Sequence, residues 1–322
     1  MKVSQILENR QEQWIELEKL CGSMALPGGR DATSIAKFSN LYRDACADLA
    51  LASSYQLPDE TIDYLQRLVA RCHNLLYRSR GFDWGSVGKV LFHTVPQACF
   101  RDGCIHLAFV VFWGFFLFAA YMGYHDDEFV ESVLGPGHRE QTIEQWEGFS
   151  ENSMASKFGM ACFYIFNNAG IGMGCFAAST LFVPGLITLL QNAIVLGTTF
   201  GFMFHPSAGV ASENFRNFVT AHGPFELTAI VLSAGAGLKI GMSWIRTHGL
   251  NRLDSVVKAG KEAIPIAGCA SLLFFGAAMI EGFISPTELP WAFKAFIAVC
   301  CSLFLVFYFV VLGFPRGESS AA

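Results

Sequence analysis

CIHLAFVVFWGFFLFAAYMG, residues Cys104–Gly123, decides the fold, because its 20 residues contain no Asp, Glu, Lys or Arg. A helix of that length is about 30 Å long, the thickness of a bilayer's hydrocarbon core. Lipid offers the backbone no hydrogen-bond partner, so such a run spans as a helix that satisfies its own N–H and C=O groups. Five further runs of similar length and character follow: Phe158–Phe182, Gly185–Phe204, Phe225–Trp244, Ala263–Ile284 and Phe293–Leu312. The composition agrees. Of 322 residues 52% are hydrophobic and 15% charged, whereas soluble domains carry about 25% charge. The expected fold is all-α, a polytopic membrane bundle of about six transmembrane helices over residues 102–322. The net charge of -5 is spread without any strongly basic stretch, which excludes a nucleic-acid surface.

Charge in the connections sets the expected orientation. Arg246, Arg252, Lys258 and Lys261 lie between the fourth and fifth spans. His125, Asp126, Asp127, Glu128, Glu131, Glu140, Glu144, Glu147 and Glu151 crowd the first connection. Lys and Arg remain on the cytoplasmic side, so both termini are expected there, in a cytoplasmic (inner) membrane, with the acidic connection outside. Arg316 agrees. The polar N-terminus lacks the apolar core of a signal peptide, so the first span is expected to direct insertion. The ten cysteines form no C-x-x-C pair, and six, Cys162, Cys175, Cys269, Cys300 and Cys301 with Cys104, lie within apolar runs. They read as small buried hydrophobes in a reducing compartment.

Ahead of the spans, residues 1–80 read as a cytoplasmic helical bundle. Val3, Leu7, Trp14, Leu17 and Cys21 share one helix face, and Pro27-Gly28-Gly29 ends that helix. Asp31 caps a second, whose face is Phe38, Tyr42, Ala45, Leu49 and Ala52. Pro58 opens a third, which buries Ile62, Leu65, Val69, Cys72 and Leu76. Arg67, Arg71 and Arg78 fall on its other side, either as a solvated face or as a contact for anionic lipid or an acidic partner. Residues 81–101 carry the stripe Trp84, Val87, Leu91, Val95 and read as an interfacial amphipathic helix, or else as a fourth helix of the bundle.

Polar groups inside the spans are the functional candidates. Asn167 and Asn168 fall in the second span, Gln191 and Asn192 in the third, His222 and Glu226 at the outer start of the fourth, and Glu281 near the outer end of the fifth. They either line a hydrated path or act as hydrogen-bond glue between helices. Lys239, in the fourth span, is expected to snorkel to the inner interface. Gly170 with Gly174, Gly197 with Gly201 and Gly237 with Gly241 have the spacing of close helix packing, which allows a dimer as readily as packing within one chain. Gly170-Ile171-Gly172-Met173-Gly174 is no nucleotide loop, since it lies inside a span and follows no strand. No nucleophile–base pair or H-E-x-x-H motif occurs, and His125-Asp126-Asp127-Glu128 reads as a solvated acidic loop. No enzyme activity, catalytic residue, metal ligand set or cofactor is therefore expected.

Four stretches together resemble the stage II sporulation protein M (SpoIIM) family of bacterial and archaeal membrane proteins. They are Phe166-Asn167-Asn168 with the glycines after it; Leu190-Gln191-Asn192 with Gly197; His222-Gly223-Pro224-Phe225-Glu226-Leu227; and Ala277–Pro286, which contains Glu281-Gly282. The resemblance covers roughly residues 101–312. Ala193 stands where the family often has Gly after the asparagine. The resemblance implies a multi-pass protein of the cell envelope. The namesake works with peptidoglycan-degrading proteins during engulfment as a membrane anchor and not as a hydrolase, and many relatives are encoded beside a MoxR-type ATPase. A scaffold for envelope or membrane protein partners is thus the expected function. A transporter or channel using the intramembrane Asn and Glu residues is the alternative.

Overall fold

The computed structural model describes residues 10–24, 32–76, 84–148 and 154–315. They are helical, with no strand among the described residues. The chain divides into two compact units, residues 1–83 and 84–322.

The first unit holds α1 (Gln11–Met24), α2 (Ala32–Ser54) and α3 (Asp59–Leu76). Its core is Trp14, Leu17, Cys21, Phe38, Ala45, Ala52, Leu65, Leu68 and Cys72. These are the inward positions of three amphipathic helices, and Leu68 joins them beyond the sequence expectation. Asp48 is also buried, at 1% exposure. The Arg10 guanidinium pairs with it, and the Trp14 indole N–H donates to it at 2.9 Å. A buried carboxylate held by a cation and a second donor fixes α1 against α2. The Cys21 and Cys72 sulfurs lie 3.2 Å apart between α1 and α3, and burial pushes the Cys72 thiol well above the ordinary thiol range. Val3, Leu7, Pro27-Gly28-Gly29, Asp31 and Arg78 lie outside the described residues, as do Glu151 and Arg316.

The second unit begins with α4 (Trp84–Lys89), a π-helical turn (Val90–Thr94) and α5 (Val95–Arg101). Val95 and Cys99 join the core of this unit, while Lys89, Phe92 and His93 stay exposed. The segment therefore packs as a bracing helix on the bundle.

Asp102 then caps α6 (Gly103–His125), accepting from the Cys104 N–H at 2.8 Å. Asp126 caps α7 (Asp127–Leu134) in the same way, and α8 (His138–Glu147) follows. Next come α9 (Met154–Ser179), α10 (Val183–Met203), α11 (Gly209–Val219), α12 (Gly223–Ser243), α13 (Arg252–Phe283) and α14 (Trp291–Val306), the last continued by a π turn at Phe307–Val311.

Six of these helices are long and apolar enough to cross a membrane: α6, α9, α10, α12, α13 and α14 with its π turn. α12 is central, with 67% of its span buried against 22% for α9 and 22% for α14. Residues 229–238 of α12 are buried without interruption. The outer helices turn Phe109, Leu117, Phe163, Leu272, Phe296 and Leu303 outward, which suits lipid rather than water. α13 starts earlier than its hydropathy indicates. At 32 residues it is about 48 Å long, so Arg252, Lys258 and Lys261 occupy its first three turns and not a loop. Asn251 makes that early start possible by capping Asp254 N–H at 2.8 Å. Among the connections, α7, α8 and α11 form a small helical cap around Val130, Phe202, Met203, Ala211 and Phe215.

Glycines set the closest approaches. A Cβ on Gly197 or Gly201 would collide with carbonyl oxygens of α6, and one on Gly237 or Gly241 with backbone atoms of α9 and the turn after it. Gly170 and Gly174 do not pack. They are exposed, with nothing near their missing side chains, and the contact glycine of α9 is Gly172, against Phe274.

Candidate functional site

Helix geometry places His222 and Glu226 together. His222 is the N-cap of α12 and Pro224 lies in the first turn, where its missing N–H costs nothing. Positions i and i+4 share a face, and His222 Nε2 lies 3.5 Å from Glu226 Oε2. The antiparallel neighbour α13 ends at the same level and brings Glu281 in its last turn. The ligating atoms of His222, Glu226 and Glu281 all lie within 4.8 Å of one another. α9 adds Asn168, whose amide donates to Glu281 Oε2 at 3.5 Å. That approach is possible because Gly282 lets α9 come against α13 at Ala161.

The cluster is held from outside. The His222 Nδ1 and the Ser285 hydroxyl are 2.9 Å apart. Lys294 of α14, itself 2% exposed, donates to the Ser285 and Thr287 carbonyls, each at 2.8 Å, and so fixes the turn that carries Ser285. Phe218 packs edge-on against the imidazole at 5.5 Å. His222 is 4% exposed and Glu281 8%. No lysine or arginine pairs with Glu226 or Glu281 among the described residues.

Of the sequence candidates, the structure thus gathers Asn168, His222, Glu226 and Glu281. Asn167 is exposed and reaches the group only through Asn168, at 3.4 Å. Asn192 stands apart, donating to the Thr188 carbonyl at 2.9 Å and to Cys175 at 3.7 Å. Lys239 reaches the end of the unit where α6 begins. Its ammonium, 18% exposed, pairs there with Asp102 at 2.7 Å and Glu262 at 2.9 Å, two charge-assisted contacts that hold the cation at that end. Arg71 pairs with Glu18 at 3.0 Å, whereas Arg67 is exposed. In the acidic connection, Asp126 serves as a helix cap and Asp127 pairs with Arg139 at 3.3 Å. Ser285 and Lys294 were not singled out by sequence reasoning. Ser285 carried a signal in the stretch that closes the fifth span, and Lys294 in being a lone cation one turn into the sixth.

A family model described as Stage II sporulation protein M matches residues 108–286, which include the whole cluster from Asn168 to Ser285. A second, described as Domain of unknown function (DUF8413), matches residues 4–78. No curated protein and no solved structure matches the chain.

Proposed function

The chain belongs to the stage II sporulation protein M family of membrane proteins, and from that premise we propose that it is a scaffold of the cell envelope. Its helical unit would dock a soluble partner, such as a MoxR-type ATPase or a peptidoglycan-remodelling protein, and its membrane unit would hold that partner at the bilayer. The observation that carries this reading is the modular build. A unit with three described helices and its own core is fused to a unit with six described helices long and apolar enough to span, and each is matched by a separate family model. In this reading both termini are cytoplasmic, the protein is not an enzyme, and the acidic cap of α7 and α8 faces the wall or periplasm. The test is cross-linked purification of the full chain and of a chain starting at Gly81 from native membranes. A stoichiometric envelope protein retained by the first and lost by the second is expected. An identical set from both, with the shorter chain correctly inserted, overturns the docking role.

One observation favours a second reading, a transporter or channel: three ionisable side chains meet inside the membrane unit. In that case Glu226→Gln abolishes a flux without unfolding the protein. Unchanged flux in a folded variant ends that assignment.

A further inference from the structure

We propose that His222, Glu226 and Glu281 form a binding site for a divalent first-row transition metal, with Zn²⁺ as the probe. The site is independent of what the helical unit docks.

Four observations converge on it. The first is ligand geometry. Tetrahedral coordination at about 2.0–2.2 Å per bond puts ligand atoms roughly 3.4 Å apart, and His222 Nε2 and Glu226 Oε2 are 3.5 Å apart without any ion. The Glu281 carboxylate lies within 4.8 Å of both, so a rotation of that side chain closes the other two edges. The second is the donor set. One imidazole nitrogen and two carboxylates suit a borderline cation such as Zn²⁺. Ca²⁺ and Mg²⁺ favour oxygen ligands in larger number.

The third is outer support. A metal-bound histidine commonly engages its other ring nitrogen with a neighbouring group, which fixes the ring. Here Ser285 holds Nδ1 and leaves Nε2 towards the carboxylates, while Asn168 holds Glu281. Lys294 in turn fixes the Ser285 turn. The fourth is charge. The two carboxylates have no lysine or arginine counter-ion among the described residues. Ser285 also lines a cavity of about 530 Å³ with Glu213, Asn217, Glu288 and Lys294. Within that lining Asn217 Oδ1 is buried and has no hydrogen-bond partner among the described residues. The cavity borders the cluster through Ser285, the neighbour of His222 Nδ1, and is not lined by the three ligands themselves. A bound metal would join α12 to α13 at the end where α9 and α14 also converge.

The full-length protein, purified in detergent and stripped with a chelator, is titrated with ZnCl₂ while metal content and thermal midpoint are read. About one equivalent bound, with a rise in midpoint, is expected for the native chain. Glu226→Gln and Glu281→Gln should each lose that equivalent and the rise, as judged on samples that still elute as folded protein. Ser285→Ala keeps all three ligands and should weaken binding about tenfold to a hundredfold, a readout that survives if a ligand variant fails to fold. Asp127→Asn, in the acidic cap, should change nothing. No saturable binding by the native chain, or the same stoichiometry in both carboxamide variants, overturns the site.

Discussion

The membrane unit carries a pair of carboxylates at each end, and the two ends balance charge differently. At one end Asp102 and Glu262 share the Lys239 ammonium, at 2.7 and 2.9 Å. At the other, Glu226 and Glu281 face His222 and an asparagine amide. The first group is complete within the chain and acts as a clamp between α12, α13 and the cap of α6. The second has ligands and orienting neighbours, and no lysine or arginine pairs with it among the described residues. Burial of a carboxylate is tolerated when its charge is met, so the contrast separates a structural ion group from one built to receive a cation.

The comparison can be broken by substitution. The largest effect is expected from Lys239→Met, which strands Asp102 at 11% exposure. The loss should be about 2–3 kcal/mol, below the range for a fully buried pair because Glu262 is half exposed. It would be read as a fall in thermal midpoint that zinc does not restore. Next, Gly237→Ala should cost about 1–3 kcal/mol by forcing α12 off α9, measured in the same way. Glu281→Gln, in the presence of chelator, should do the opposite of Lys239→Met and stabilise the metal-free protein by about 1 kcal/mol, since a carboxamide in that place never has to bury a charge. A fall as large as that of Lys239→Met would make the two ends equivalent and end the comparison. The smallest effect belongs to Gly174→Ala, expected within about 0.5 kcal/mol of the parent because nothing lies near that missing side chain.

Much of this was legible in the chain itself. Length and apolar character located six spans, and the alternation of spans put the start of the fourth and the end of the fifth on one side. That arrangement already brought His222, Glu226 and Glu281 to a common level. The rotation of each helix was not legible. α12 is buried on every side and so carries no periodic signature of an inward face. α9 offers glycines on more than one face, so spacing alone pointed to Gly170 and Gly174 where Gly172 makes the contact. Lys294 was hidden for another reason. Its charge is met by main-chain carbonyls of a turn, a partner that no residue pattern announces. The early start of α13 escaped because charged first turns read as a loop when hydropathy is the only ruler. Asp48 escaped because its partners Arg10 and Trp14 lie 38 and 34 residues away.

The sulfur pair between α1 and α3 has a use beyond packing. Cys21 and Cys72, 3.2 Å apart, are close enough that an oxidising compartment would join them, whereas a reducing one would leave two thiols. The chain therefore records which side of the bilayer its first unit occupies. Rapid acid quenching of cells, followed by denaturing alkylation and mass measurement of the fragment bearing both residues, reads that record. Two alkylated thiols are the outcome expected of a unit facing the cytoplasm, and a cross-linked fragment would place it on the other side.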